Sequence, residues 1–269
     1  MRILIALLAL LMATAASAAP AAGAFDRSHA SWDRLLAAHV EWNAAGTSTT
    51  VDYAGFKRER QVIERYLQDA SAVDAAQFNR WSLAERQAFL INVYNAATVE
   101  LVLTRYPGLK SIKDLGGLFG SPWKLQVLDL LGDRRSLDDI EHVLLRGADD
   151  YAEPRIHFAV NCASVGCPAL RPEAYRGARL DDQLDDQTRR FLRDRNRNHP
   201  ESSNAVLRVS KIFDWYAEDF ESHSSSVSAF LARYRAELGL DAAAASRLKQ
   251  GRIRIAYTPY DWSLNNKTR

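Results

Sequence analysis

The segment of residues 82–106 restricts the fold of this chain more than any other part of its sequence. Ser82 followed by Glu85 three positions later is the pattern of a helix N-terminus with a capping box, and Pro107-Gly108 stops a helix. Between positions 88 and 103 the segment is apolar on nearly every side, whereas a surface helix has one apolar and one polar face. The sequence therefore predicts a long helix buried inside the domain.

Three polar side chains interrupt this predicted helix: Asn92, Asn95 and Glu100. At about 100° per residue they fall within one sector of roughly 140°. Burying two amides and a carboxylate is costly unless each of them finds hydrogen-bond partners. They are therefore either structural bridges to an irregular loop or one wall of a binding site. The structural interpretation is favoured because buried asparagines commonly satisfy loop backbone.

The segment of residues 155–171 is the candidate for special chemistry. It contains both cysteines of the chain together with nearby polar residues: His157, Asn161, Cys162, Ser164 and Cys167. The apolar run at positions 156–160 predicts a strand that leads into a turn rich in Cys, Ser, Gly and Pro. Loops held by a rigid framework commonly carry function, so we expect the site at this turn.

The N-terminus has the pattern of a secretory signal peptide. A short basic start is followed by an apolar run over residues 3–12 and by Ala16-Ser17-Ala18, an A-x-A cleavage site. The run is shorter than the roughly 20 apolar residues that a membrane-spanning helix needs. We expect residues 1–18 to be removed and residues 19–28 to be a flexible segment. The mature protein would be soluble and periplasmic or secreted, with no stable membrane insertion.

The composition limits the classes of partner. With 35 Lys and Arg against 33 Asp and Glu the net charge is +2, so nucleic acid and anionic membranes are not implied. About 250 residues remain after the leader, and 47% of the chain is hydrophobic, which suits a globular protein with a substantial core. The expected partner is an unidentified small molecule or protein, and no cofactor is indicated.

Helical patterns outnumber strand patterns along the chain. The predicted helices cover residues 28–43, 56–69, 82–106, 180–194, 213–219 and 227–238, with one more that begins after Ser136. The predicted strands cover residues 123–131, 156–160, 206–212 and 252–257. This mixture predicts an α+β fold, a helix-rich single domain around a small sheet, over residues 29–265.

Five segments, in this order, resemble the domain-of-unknown-function family 547: Phe89–Leu103, Arg135–Arg146, Arg155–Arg171, Lys211–Phe220 and Tyr260–Asn265. The resemblance covers nearly the whole chain after the leader, from about His29 to Asn265. The family's helix usually begins with Phe-Trp, where this chain has Phe89-Leu90. The resemblance implies an exported bacterial protein, because bacterial members are often exported, and it implies no particular biochemical activity.

The first functional hypothesis is a cysteine-dependent hydrolase or acyltransferase. Cys162 would be the nucleophile at a helix N-terminus, where the dipole lowers a thiol pKa. His157 or His142 would be the base, with Asp261 or Asn161 orienting it, in the manner of papain or transglutaminases. A papain- or transglutaminase-like variant of the α+β fold would suit this chemistry.

The second hypothesis is a binding module in which Cys162 and Cys167 form a disulfide clasp. An oxidising compartment and the lack of a third cysteine favour this hypothesis over the nucleophile. A bridge across so short a loop contributes about 2 kcal/mol. The groove would be walled by the polar helix and by the aromatic turn at residues 258–262. The candidate binding residues are Asn92, Asn95, Glu100, Asn161 and Ser164.

The remaining histidine and acidic residues are expected to have structural or surface positions, and the cysteines and histidines are also considered as metal ligands. His142, His157, Cys162 and Cys167 are potential zinc ligands, but their spacing fits neither a zinc finger nor HExxH, and no metal site is predicted. Glu141, with Asp138 and Asp139, is expected to serve the first turn of its helix. Four further histidines are expected at the surface or in loops: His29, His39, His199 and His223.

Overall fold

The computed structural model of the protein describes residues 24–117, 120–147, 152–201 and 205–267. The predicted signal peptide, residues 1–18, lies outside the described residues. Of the segment expected to be flexible, residues 24–28 are described, and Phe25 packs edge-to-face on Phe89 with ring centroids 5.0 Å apart. No helix in the described ranges has both the length and the apolarity that crossing a membrane requires.

Helix α5 (Leu83–Leu103) is the predicted long helix, and it contributes residues to two of the hydrophobic clusters. The capping box is present: Ser82 Oγ accepts a hydrogen bond from the Glu85 N–H, and Glu85 Oε2 accepts one from the Ser82 N–H. Nearly all of its residues from Gln87 onward are buried, so the prediction of a buried helix is confirmed.

The other α-helices surround α5 or form a C-terminal group. Those before α5 are α1 (Ala30–His39), α2 (Tyr53–Arg58), α3 (Arg60–Ser71) and α4 (Ala75–Asn79). Those after it are α6 (Leu180–Arg193), α7 (Ile212–Trp215), α8 (Ala217–Ser224), α9 (Val227–Arg233) and α10 (Ala242–Lys249). Short 3₁₀ helices cover Ile112–Gly116, Pro122–Lys124, Pro154–Phe158 and Gly177–Arg179. The helix-rich α+β prediction is confirmed.

The strands form small separate sheets instead of one. Strands β1 (Val40–Trp42) and β2 (Thr49–Val51) are antiparallel, as are β3 (Gln126–Leu130) and β4 (Asp133–Ser136). The third sheet has the order β5-β6-β7, in which β5 (His199–Pro200) is antiparallel to β6 (Val206–Val209) and β7 (Arg254–Tyr257) is parallel to it.

The predicted strand at residues 156–160 is wrong, because this run is the 3₁₀ helix Pro154–Phe158. Proline at the first position favours a helical start, since its fixed φ suits a helix and its missing N–H is not needed there. The Glu153 side chain accepts a hydrogen bond from the Arg155 N–H and caps the turn. Short apolar runs do not distinguish a strand from buried helix, and here every residue from Ile156 to Val160 is buried.

The helix predicted after Ser136 is a π-helix, Asp139–Leu145. Ser136 Oγ accepts a hydrogen bond from the Asp139 N–H, and Asp139 Oδ2 accepts one from the Ser136 N–H. These two bonds cap the N-terminal end of the helix, as the sequence predicted. π-Helical turns are rare and often occur at functional sites. This one carries Glu141 and His142.

A third hydrophobic cluster joins the C-terminal helices to the 3₁₀ helix. Phe158 packs among Phe191, Phe213 and Phe220, with ring centroids between 4.9 and 5.9 Å away. This packing brings α7 and α8 next to His157. The chain then returns past the cysteines, where Ser164 pairs with Leu264 in an antiparallel bridge.

The expectation of surface histidines is wrong for His29. Its side chain is buried, and its Nδ1 lies 2.8 Å from the Tyr66 hydroxyl. Burial lowers the pKa of His29 to about 4; the Asp26 charge opposes this shift, and the Arg176 charge adds to it. The neutral imidazole is therefore part of the N-terminal packing.

Candidate functional site

A cavity of about 180 Å³ lies where α5, the π-helix, the 3₁₀ helix Pro154–Phe158, the cysteine turn (residues 159–168) and the aromatic turn (residues 258–262) meet. Its lining combines aromatic rings, two carboxylates, two imidazoles and the two cysteines. The lining residues are Tyr94, Trp123, Asp138, Glu141, His142, His157, Val160, Cys162, Cys167, Pro168, Ile212, Trp215, Tyr216, Tyr260 and Trp262.

The cysteines are joined in a disulfide, and this part of the clasp prediction is confirmed. Cys162 and Cys167 have their Cα atoms 6.1 Å apart, and the chain has no free cysteine. Cys162 Sγ lies 3.2 Å from Ser164 Oγ and 3.3 Å from the Tyr260 hydroxyl. The bridge is therefore a wall of the cavity, and in this state it leaves no thiol nucleophile.

The amides predicted as a possible binding wall hold the backbone instead. Asn95 donates to the Ala159 carbonyl at 3.0 Å and accepts from the Asn161 N–H at 2.8 Å. Asn92 makes the same pair of bonds with the Tyr175 carbonyl and N–H. Neither amide lines the cavity. The structural interpretation is correct, because each amide satisfies one donor and one acceptor of irregular backbone.

The other three predicted binding residues also make contacts within the protein. Asn161 donates to the Pro168 carbonyl at 2.7 Å and accepts from the Ala163 N–H at 2.9 Å, which shapes the cysteine turn from within. Glu100 forms a double hydrogen bond with the Arg60 guanidinium and does not line the cavity. Ser164 is buried beneath the bridge and contacts both Cys162 and Tyr260.

Asp261 is not the residue that orients a histidine. Its carboxylate accepts a hydrogen bond from the Ser263 N–H at 2.8 Å, and hydrogen bonds from the Ser263 side chain and from this N–H lower the Asp261 pKa. The backbone carbonyl of Asp261 accepts from the Gly166 N–H at 2.8 Å. Asp261 therefore fastens the aromatic turn to the cysteine turn.

The carboxylate that orients His157 is Asp219, which the sequence reasoning missed. Asp219 Oδ2 lies 2.7 Å from His157 Nε2, and the Arg146 guanidinium donates two hydrogen bonds to Asp219, at 2.7 and 3.0 Å. Burial alone would raise the Asp219 pKa, but the hydrogen bonds from His157 and Arg146 hold it well below its usual range. A carboxylate can only accept, so Nε2 of His157 carries a proton.

His157 itself is buried and tightly packed. Its ring stacks on Tyr216 with centroids 3.8 Å apart and an interplanar angle of 19°. Nδ1 of the ring is buried and has no hydrogen-bond partner among the described residues. The histidine is thus fixed in position, with one nitrogen committed to Asp219 and the other one unpaired.

Glu141 lies in the first turn of its helix, as expected, but its side chain turns inward and faces this nitrogen of His157. Glu141 is only 5% exposed, and its Oε1 lies 3.8 Å from His157 Nδ1. Oε1 is also buried without a hydrogen-bond partner in the described part of the chain. Burial, together with the Glu141 charge, raises the pKa of Tyr94 and of Tyr216, so both phenols beside it stay protonated.

His142 lies at the same cavity with a different partner. Its Nδ1 is 2.8 Å from an Arg146 nitrogen, and a guanidinium can only donate, so Nδ1 accepts. The proton of the neutral ring is then on Nε2, 3.9 Å from Asp138 Oδ1. Burial raises the pKa of Asp138.

The structure brings Cys162, His157 and His142 to one cavity, although no hydrogen bond between described residues joins Cys162 to either histidine.

An aromatic cluster forms the opposite wall. Tyr260 packs against Trp215 and Trp262 with ring centroids 4.8 and 4.5 Å apart, and Trp123 meets Trp262 at 5.7 Å. Trp215 is 44% exposed, which is high for so large an apolar ring. Burial raises the pKa of Tyr260 to about 12. The predicted role of the aromatic turn as a groove wall agrees with this geometry.

The family model described as "Protein of unknown function, DUF547" matches residues 78–192. Residues 78–192 belong to this family. The DUF547 segment contains α5, the π-helix, the 3₁₀ helix and both cysteines, while Asp219 and the aromatic turn come from the chain beyond it. No curated protein and no solved structure matches the chain.

Asp219 had one signal in the sequence. It lies within Lys211–Phe220, one of the five segments that resemble the family, but nothing in that segment indicates which histidine it meets.

In the described ranges, no group of three or more His, Cys, Asp or Glu residues is arranged to hold a metal ion.

Proposed function

We propose that the protein is an exported binding module that takes a small ligand into the cavity, with the Cys162–Cys167 bridge as a clasp that holds one wall. The observation that carries this proposal is the pair Glu141 Oε1 and His157 Nδ1, two buried polar atoms 3.8 Å apart that have no hydrogen-bond partner among the described residues. A buried polar atom without a partner costs free energy that a ligand donor would recover.

The opposite wall supports the same proposal. Trp215 and the aromatic turn expose flat apolar faces to the cavity, and aromatic surfaces of this kind bind the apolar part of a ligand. Pockets with mostly apolar walls and a few convergent polar groups are the usual form of small-molecule sites. The ligand would therefore lie with its apolar part on the rings and its polar end at Glu141.

Export is part of the proposal. The leader pattern of residues 1–18 and the disulfide both suit an oxidising compartment. Expression of the full gene with its leader, followed by cell fractionation and intact mass measurement, tests it. We expect the protein outside the cytoplasm, shortened at the A-x-A site and lacking two hydrogens relative to the reduced chain.

Ligand binding is tested by a thermal-shift screen of small molecules on three proteins: wild type, Glu141→Gln and Glu41→Gln. Glu41 is a matched control because its carboxylate is exposed and pairs with Lys267, outside the cavity lining. We expect ligands that stabilise wild type and Glu41→Gln and lose their effect on Glu141→Gln. Ligands that stabilise all three proteins equally would show that the cavity is not the site.

A second candidate function is a cysteine-dependent hydrolase or acyltransferase. It is favoured by the presence of Cys162 in the same cavity as His157, whose position Asp219 fixes, because a thiol enzyme needs a base held by a third group. Reduction of the bridge would have to precede catalysis. Alkylation of the reduced protein by iodoacetamide, with Asp219→Asn as comparison, tests this candidate. Slow alkylation of Cys162 that Asp219→Asn leaves unchanged would exclude an activated thiol.

A further inference from the structure

The geometry points to a primary ammonium group, RNH₃⁺, as the part of the ligand that reaches Glu141 and His157. This inference rests on the proposed binding function and names its ligand class. It is carried by three features of the cavity: its charge, the direction of its hydrogen bonds, and its aromatic wall.

The charge of the cavity favours a cation. Two carboxylates, Asp138 and Glu141, belong to the lining, and no lysine or arginine does, as far as the described residues form it. The Arg146 guanidinium contacts His142 from outside the lining, but its charge is already paired with the Asp219 carboxylate. An anionic ligand would have to enter beside two carboxylates with no cation among the described lining residues to meet it, since Lys113 lies on the ring of Trp262 but is not itself part of the lining.

The hydrogen-bond direction favours a group with several N–H donors. Asp219 holds the proton of His157 on Nε2, so the neutral ring presents a lone pair at Nδ1. Oε1 of Glu141 is also an acceptor, and the residues that carry these two atoms are 5% and 2% exposed. Since the atoms are 3.8 Å apart, one nitrogen can lie within about 3 Å of both. An ammonium group supplies two such donors, whereas a hydroxyl has only one.

The aromatic wall accepts a cation in addition to an alkyl chain. Lys113 of the protein already places its Nζ 3.7 Å from the ring centre of Trp262, the same ring that lines the cavity. Trp215 and Tyr260 add two more faces beside it. Indole and phenol faces attract ammonium groups through their quadrupoles, so this wall suits a chain that ends in a positive charge.

The test is isothermal titration calorimetry of the purified, oxidised protein with four probes that each contain an unbranched four-carbon chain: n-butylamine, n-butyltrimethylammonium, 1-butanol and butanoate. We expect n-butylamine to bind at neutral pH, and the quaternary ammonium and the alcohol to bind at least about tenfold more weakly, because neither can donate two hydrogen bonds. Butanoate should show no binding.

Two probes distinguish a lysine side chain of a peptide from a free small-molecule amine as the source of the ammonium group. A lysine blocked at both ends carries the same butylammonium as part of a peptide, while n-butylamine represents a free small molecule. Binding of either one at least about tenfold above 1-butanol supports the inference. The Glu141→Gln protein should lose this preference, and Glu41→Gln should keep it.

Failure of the inference and failure of the proposed function give different results. If 1-butanol or butanoate binds as well as the amine and Trp215→Ala abolishes that binding, the cavity takes a ligand and the ammonium assignment is wrong. If none of the probes binds to the wild-type protein, and the ligand screen is also negative, the binding function itself is refuted. The preference for the amine over the other probes is measured on the wild type, so this part of the test does not depend on the folding of a variant.

Discussion

Removal of the Cys162–Cys167 bridge is expected to lower the free energy of unfolding by about 2 kcal/mol. The cysteines are five positions apart, and the chain-entropy relation for so short a loop gives roughly 7 cal/mol/K, which is about 2 kcal/mol at room temperature. This contribution arises mainly from the restricted unfolded chain, so it does not depend on which cysteine is replaced.

The assay is equilibrium unfolding in urea of the wild type, Cys162→Ser, Cys167→Ser and the double variant, without reductant. The three variants should lose similar amounts of free energy, because each one abolishes the same bond. Wild-type protein treated with reductant should approach the same value. Thiol titration in denaturant should find no free thiol in the untreated wild type and two after reduction.

Two results would refute this reasoning. Two free thiols in the untreated, exported protein would show that the bridge does not form in its compartment. A double variant that loses the sum of the two single losses would show that the cysteines act independently, and the entropic argument would then fail.

Three other predictions concern stability. Because burial lowers the pKa of His29 to about 4 from 6.5, the unfolded chain binds a proton that the folded protein excludes, so the free energy of unfolding should fall by about 3 kcal/mol as the pH falls through that window. His29→Gln should flatten this part of a pH series of urea titrations, and an unchanged slope would contradict the assignment. The Asp219 carboxylate has a lowered pKa, so its stabilisation is present above the ordinary carboxyl range and is lost in acid. Asp219→Asn should therefore destabilise the protein at neutral pH by an amount that shrinks as the pH is lowered, and a loss independent of pH would count against the pairing. Asn95→Ala leaves the Asn161 N–H and the Ala159 carbonyl without their partner, and should cost about 3 kcal/mol in urea unfolding; a loss under about 1 kcal/mol would show that other groups replace the amide.

The parts of the fold that the sequence predicts are those with local signals. Helix α5 carries its own start, the Ser82–Glu85 box, and its own stop, Pro107, so its position follows from a few adjacent residues. The cysteine bridge followed from the count of cysteines and the expected compartment. Both predictions needed no knowledge of how distant segments meet.

The polar centre of the cavity could not be predicted in this way. Glu141, His157 and Asp219 come from a π-helix, a 3₁₀ helix and α8, and nothing in the sequence specifies that these elements pack together. Glu141 looked like an ordinary acidic residue in a first helical turn. The mistaken strand at positions 156–160 added to the difficulty, because alternation along a strand would have left the direction of His157 open.

The direction of hydrogen bonding at the two imidazoles is set by two residues that do not line the cavity, Arg146 and Asp219. Arg146 donates to His142 and to Asp219, and Asp219 in turn fixes His157. One imidazole therefore offers the cavity a lone pair and the other offers an N–H. Two residues behind the pocket wall therefore decide which ring donates and which accepts. Substitution of Arg146 alone would release His142, while Asp219 would still hold the proton of His157 on Nε2.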